Sequence, residues 1–116
     1  MGKKNILITG CAGFIGSQFA LKSLNKKFKV IGIDNYDNYY SIPLKKKRIT
    51  LLKKKKNFKF YKIDIRNFQK LNKIIKKNKI DYVFHFAAQA GVRYSKVDPK
   101  KYTTTNIIGT LNLLNS

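Results

Sequence analysis

Three glycines and one aspartate are the residues of this sequence best placed to do chemistry. "ITGCAGFIGS" spaces Gly10, Gly13 and Gly16 as G-x-x-G-x-x-G, between a short apolar run and a helical pattern. Asp34 closes the next apolar run, 18 residues after Gly16. In a loop of this kind the first glycine makes a tight turn, the middle one lets backbone approach a pyrophosphate, and the third lets helix pack on strand. Backbone N–H groups at the helix N-terminus then hold the phosphates. A carboxylate at the end of the second strand accepts hydrogen bonds from ribose hydroxyls and repels a 2′-phosphate. Asn35, not an arginine, follows it. The pattern points to a dinucleotide, NAD in preference to NADP. Against it stand a merely structural glycine turn and, for Asp34, a strand-end turn residue.

Asp64 closes a third apolar run, beside the place expected for an adenine, where its side chain or the Ile65 backbone would meet the exocyclic amine. The competing reading is an acid at a helix N-terminus. Cys11 lies inside the phosphate turn, where a helix terminus lowers a thiol pKa, but a small packing residue is the better reading. His85, between Phe84 and Phe86, reads as a satisfied core histidine rather than a ligand or base. The stretch "HFAAQAGVRYS" that it opens suits the lining of a site for an anionic ligand.

The elements that must position these residues alternate. "NILITG" (Asn5–Gly10), "KVIGID" (Lys29–Asp34), "FKFYKIDI" (Phe58–Ile65) and "DYVFHFAA" (Asp81–Ala88) read as strands. Between them "FIGSQFALKSLNKK" repeats its apolar residues at three- and four-residue steps, and "LKKKRITLLKKKK" reads as a short basic helix after a turn-rich loop closed by Pro43. "FQKLNKIIKKN" is a helix with Asn67 as cap, and Asp98 and Pro99 open a last helix running to Ser116. Strand and helix alternate four times, which implies a parallel sheet with right-handed crossovers. The expected α/β architecture is the N-terminal part of a doubly wound parallel (Rossmann) sheet in the order 3-2-1-4, a partial NAD-binding domain over residues 1–116.

Composition narrows the remainder. A length of 116 residues allows one domain. The net charge of +21 invites a nucleic-acid reading, yet 23 of the 26 basic residues are lysines, in runs with no recognition motif, and only three are the arginines that read phosphates bidentately. Lys, Asn and Ile fill 48 positions, a bias that AT-rich codons explain without a function. Nucleic acid is therefore not the expected partner. The chain contains five Asp and no Glu, so Asp34, Asp64 and Asp81, each at or beside the end of an apolar run, need a local reason. A single cysteine excludes an internal disulfide framework and a Cys-rich zinc site, and no metal is expected. No apolar run approaches a membrane span and the N-terminus carries no signal pattern, so the expected location is cytoplasmic.

Four stretches, "ITGCAGFIGS", "GIDNYDNYYSIPLKKKRI", "HFAAQAGVRYS" and "DPKKYTTTNIIGTLNLL", together resemble the N-terminal part of an extended short-chain dehydrogenase/reductase of the NAD-dependent epimerase/dehydratase family. The second and third look most like UDP-glucuronate 4-epimerases. The resemblance implies that Gly10, Gly13 and Gly16, with the Phe14 and Ile15 backbone, hold the pyrophosphate. It places Asp34 and Asn35 at the adenosine ribose and Asp64 and Ile65 at the adenine. Phe86, Ala87, Ala88 and Asn106 match further parts of the cofactor pocket, and Gln89, Arg93, Tyr94 and Ser95 fall in a loop facing the sugar nucleotide. It also implies a UDP-sugar substrate and allows a homodimeric parent. The family's catalytic Ser or Thr and Tyr-x-x-x-Lys pair are not in the sequence. None of Tyr36, Tyr39, Tyr40, Tyr61, Tyr82, Tyr94 and Tyr102 has a lysine four positions on. The expectation is a fragment without catalytic residues. Its rivals are a fragment of a UDP-glucose 4-epimerase or nucleotide-sugar dehydratase, and a non-catalytic nucleotide- or RNA-binding remnant.

Overall fold

The structure, a computed structural model, describes residues 4–36, 42–87 and 109–114. Its strands are β1 (Asn5–Thr9), β2 (Lys29–Asp34), β3 (Phe58–Lys62) and β4 (Tyr82–His85). Its helices are α1 (Phe14–Asn25), α2 (Ile42–Lys53), α3 (Phe68–Asn78) and α4 (Gly109–Leu114). The sheet order is β3-β2-β1-β4 and every pairing is parallel, so the expected topology is borne out.

Alternation along the strands divides the core between two faces. Ile6 and Ile8 of β1, with Val30 of β2, meet Ala20 and Leu24 of α1 and Ile49 and Leu52 of α2. Leu7, Ile31 and Ile33 point the other way and meet Leu71 and Ile74 of α3. Helices thus cover both faces, and the near-continuous apolar runs of β1 and β2 are those of strands buried on both sides.

Several boundaries differ from the sequence reading. The third strand ends at Lys62, not Ile65: Ile65 turns inward as a core residue, 4% exposed, instead of pairing. The fourth ends at His85, and Phe86 and Ala87 follow it as non-strand backbone. α1 stops at Asn25, before Lys27 with its φ of 70°, and α2 stops at Lys53. Pro43 does not close a loop. It sits in the first turn of α2, where a missing N–H costs no helical hydrogen bond. Asn67 does cap α3, its side chain accepting from Lys70 N at 3.2 Å. The helix expected from Asp98 onward is described only over α4. The approach of α4 to the core residue Ile65 is close: a Cβ on Gly109 would stand 2.5 Å from Ile65 Cδ1.

Each of the three acids has its local reason. Asp81 accepts from Asn5 N through Oδ2 at 2.8 Å and fastens the start of β4 to β1. Asp34 and Asp64 lie at the opposite, C-terminal end of the sheet, the end where open α/β sheets bind ligands.

Candidate functional site

The loop between β1 and α1 opens with Gly10 at φ +70°, a conformation that L side chains rarely adopt. A Cβ there would also stand 2.7 Å from Ala87 N, so Gly10 allows the chain after β4 to pass close by. Gly10 N and Cys11 N both donate to Ile33 O, at 2.8 and 3.3 Å, tying the loop to the end of β2. A Cβ on Gly16 would fall on the Gly10 carbonyl oxygen, so α1 packs on the turn only through glycine. Gly13 differs from both. It is the N-cap of α1, and among the described residues a Cβ there would meet only Gly10 O, at 3.2 Å. Ser17 N is the first amide with an intrahelical acceptor, Gly13 O at 2.9 Å. The helix therefore gives no acceptor to the N–H groups of Phe14, Ile15 and Gly16, which lie at its positive end. The side chains of Phe14 and Ile15 are exposed.

Asp34 is 8% exposed and already holds two backbone amides. Its Oδ2 accepts from Ala12 N at 3.0 Å and its Oδ1 from Tyr36 N at 2.8 Å. An ionised carboxylate has about four acceptor sites, so both oxygens can still accept a ribose hydroxyl. Beside it, Asn35 Nδ2 donates to Asp64 Oδ2 at 3.1 Å, and this brings together two residues that sequence reasoning assigned to neighbouring parts of one ligand. Asp64 also accepts from Arg66 N and Arg66 Nε, each at 2.9 Å, and forms an ion pair with the guanidinium. Partial burial pushes the Asp64 carboxyl up, but these hydrogen bonds outweigh it and hold the group below the ordinary carboxylate value. The buried Ile65 side chain is part of the core, which leaves only its backbone for an adenine.

The structure decides the two side readings. Cys11 is buried, and burial, followed by the nearby Asp34 charge, pushes its thiol far up rather than down. It is a packing residue: a Cβ on Gly32 of β2 would stand 2.6 Å from Cys11 Sγ. His85 is half-buried and bonded, its Nδ1 2.6 Å from Thr9 Oγ1, and burial lowers its pKa.

Thr9, Gly32 and Arg48 escaped the sequence reading. Thr9 Oγ1 accepts from Phe86 N at 3.0 Å and Ala87 N at 3.1 Å, holding the backbone that leaves β4 against the glycine loop. Arg48 Nη1 donates to Ala12 O at 3.1 Å. No spacing signal marks any of the three, because each depends on contact between separate elements. Ala88, Gln89, Arg93, Tyr94, Ser95 and Asn106 lie outside the described residues. Among the described residues no cluster of three or more metal-ligating side chains occurs, and no helix is long and apolar enough to cross a membrane.

A parallel sheet with a glycine loop, an open helix N-terminus and an acid at the tip of β2 defines a nucleotide-binding α/β domain of the Rossmann type. The chain belongs to the NAD-dependent epimerase/dehydratase family: the model described as GDP-mannose 4,6 dehydratase matches residues 7–116. A UDP-glucuronate 4-epimerase of Thermodesulfobacterium geofontis is 49% identical over 93% of this chain and 33% of its own. Among solved structures, the UDP-glucuronic acid 4-epimerase of Bacillus cereus, in complex with UDP-glucuronic acid and NAD, superposes with a TM-score of 0.87 at 40% identity. That match covers 96% of this chain and 35% of the other. A UDP-glucose 4-epimerase of Thermotoga maritima superposes at 0.80 with 36% identity, over 96% and 33%. The chain spans a quarter to a third of the length of the curated relatives it matches.

Proposed function

We propose that this chain is the NAD-binding part of a nucleotide-sugar 4-epimerase that interconverts UDP-glucuronate and UDP-galacturonate. The observation that carries the cofactor is the pairing of the Gly13 loop with Asp34. Among the described residues only Gly10 O comes near a Cβ placed on Gly13, at the positive end of α1, and the acid that closes β2 keeps acceptor capacity. The substrate rests on likeness to UDP-glucuronate 4-epimerases.

When bound, NAD takes up and returns a hydride at the sugar C4. This chain's residues bind and orient. The amides of Phe14, Ile15 and Gly16 meet the pyrophosphate, with Gly10 and Gly13 giving it room. Asp34 and Asn35 hold the ribose, while Asp64 and the Ile65 backbone border the adenine. Phe86, Ala87, Ala88 and Asn106 line the nicotinamide side, and Gln89, Arg93, Tyr94 and Ser95 face the UDP-sugar. None of these residues is assigned a proton transfer. A cytoplasmic location and a homodimeric parent complete the reading.

Calorimetric titration of the 116-residue chain with NAD and NADP tests the proposal. Saturable NAD binding, stronger than NADP, is expected. Absence of binding to either would overturn the cofactor assignment.

A further inference from the structure

Ala12 has a methyl side chain, yet both of its polar backbone groups are held by side chains from other elements. Its N–H donates to Asp34 Oδ2 of β2 at 3.0 Å, and its carbonyl accepts from Arg48 Nη1 of α2 at 3.1 Å. These groups belong to two consecutive peptide planes, Cys11–Ala12 and Ala12–Gly13. The second plane also carries Gly13 N–H, which donates to Gly10 O at 3.0 Å. The guanidinium is itself located: it is half-buried, and its Cζ stands 5.9 Å from the centroid of the Phe14 ring, within cation–π range.

We infer that Arg48 is a positioning residue for the phosphate loop, setting the plane of the Ala12–Gly13 peptide and hence the direction of the amides that follow. The inference deepens the cofactor assignment proposed above and rests on it for its functional consequence. A loop that must present several N–H groups to one diphosphate binds best when those groups are aimed beforehand, since ordering them on binding costs affinity. Glycines free the loop to adopt its turn, and its peptide planes are held only by the bonds they make. Asp34 holds one plane, and Arg48 holds the next from its carbonyl side, opposite the Gly13 N–H bond to Gly10 O. A hydrogen bond from a charged donor to the carbonyl of a buried residue is stronger than a neutral one, so a lysine should replace it in part and a methionine not at all.

The test uses the 116-residue chain with Arg48→Met and Arg48→Lys, read by residue-resolved amide hydrogen exchange without nucleotide and by titration with NAD, ADP and adenosine. In Arg48→Met, the Gly13 amide should exchange about tenfold faster while β1 and β2 amides are unchanged. Affinity for NAD and ADP should fall about tenfold and that for adenosine little, because only the diphosphate meets the loop. Arg48→Lys should recover most of both effects. Unchanged loop exchange in Arg48→Met would overturn the inference, as would equal acceleration throughout β1 and β2 or equal losses for adenosine and NAD. If the unsubstituted chain fails to bind NAD, the cofactor assignment falls, and the exchange data still decide whether Arg48 orders the loop.

Discussion

Thr9 and His85 are register partners across β1 and β4, and their side chains meet at 2.6 Å between Oγ1 and Nδ1. A threonine hydroxyl has one proton and two acceptor sites. Ala87 N donates to the hydroxyl oxygen, and Phe86 N divides its proton between that oxygen and Thr9 O, at 3.0 and 3.1 Å. The network is satisfied when the hydroxyl proton goes to Nδ1, an assignment in which His85 is neutral and protonated at Nε2. In that assignment one threonine sets both the histidine's tautomer and the path of the chain past the glycine loop.

Protonating His85 would remove the acceptor at Nδ1, and burial already holds its pKa below the ordinary 6.5. An unfolded chain then binds more protons than the folded one on the acid side of 6.5. This contribution to stability is whole above that pH and is lost as pH falls below it. Asp64 acts in a separate window. Its lowered pKa keeps its contribution intact above the ordinary 3.8 and loses it as pH falls further. Melting temperatures between pH 7.5 and 5 should drop in the unsubstituted chain and stay nearly flat in His85→Gln. Equal slopes in the two would remove His85 as the cause.

Asp34→Ala should act on both the fold and the ligand. It leaves two backbone amides, Ala12 N and Tyr36 N, without their side-chain acceptor, at a cost of about 1–3 kcal/mol. In the proposed cofactor site it also removes the acceptor for the ribose and the charge that repels a 2′-phosphate. Denaturant unfolding should show the loss of stability, and calorimetry should show weaker NAD binding and a reduced preference over NADP. Unchanged affinity for both nucleotides would remove Asp34 from the site.

What could be read from the sequence follows from range. Strand order and the two-sided core were legible because Ile6–Ile8 and Val30–Ile33 announce buried strands and glycine marks the first turn. The ends of β3 and β4 were not. Ile63 to Ile65 and Phe86 to Ala87 continue the apolar pattern after the strands end, because Ile65 enters the core from a turn and the Ala87 amide goes to Thr9 Oγ1 instead of a strand carbonyl. The Asn35–Asp64 bond joins positions 29 residues apart, and Arg48 reaches Ala12 across 36, so neither leaves a local signature.

The same gap hid Gly32, a glycine inside a strand with no turn to explain it. Its missing side chain makes room for the Cys11 thiol and for the Phe58 ring, 3.0 Å from where a Cβ would stand. Gly32→Ala should destabilise the fold by about 1–3 kcal/mol through overpacking. Adding Cys11→Ala should recover part of that loss, a coupling that a double-mutant cycle in denaturant measures. Simple additivity would show that the clash is relieved elsewhere. Because Cys11 is buried and its thiol pKa is raised, native Cys11 should react with a thiol reagent far more slowly than the same chain in guanidinium.

The 116 residues alone should not epimerise UDP-glucuronate. A group must take the proton of the sugar 4-OH near neutral pH, and an unperturbed phenol titrates at about 10. No tyrosine of the sequence has the lysine four positions on that the family resemblance implies for lowering that value. The structure offers no substitute among the described residues. His85 has Nδ1 committed to Thr9, Tyr36 is shifted upward by burial and by the Asp34 charge, and the Cys11 thiol is raised and enclosed. On the other side of β1, β4 pairs with no further strand among the described residues, and Tyr82 and Val83 stand 53% and 46% exposed. Such an edge is a site for association with another chain, so the assay needs a dilute, freshly purified sample. The measurement is incubation with NAD and UDP-glucuronate, followed by chromatography for UDP-galacturonate. No product above a heat-killed control is expected. Turnover would mean that a proton acceptor lies within these residues, and the binding-only role assigned to them would be wrong.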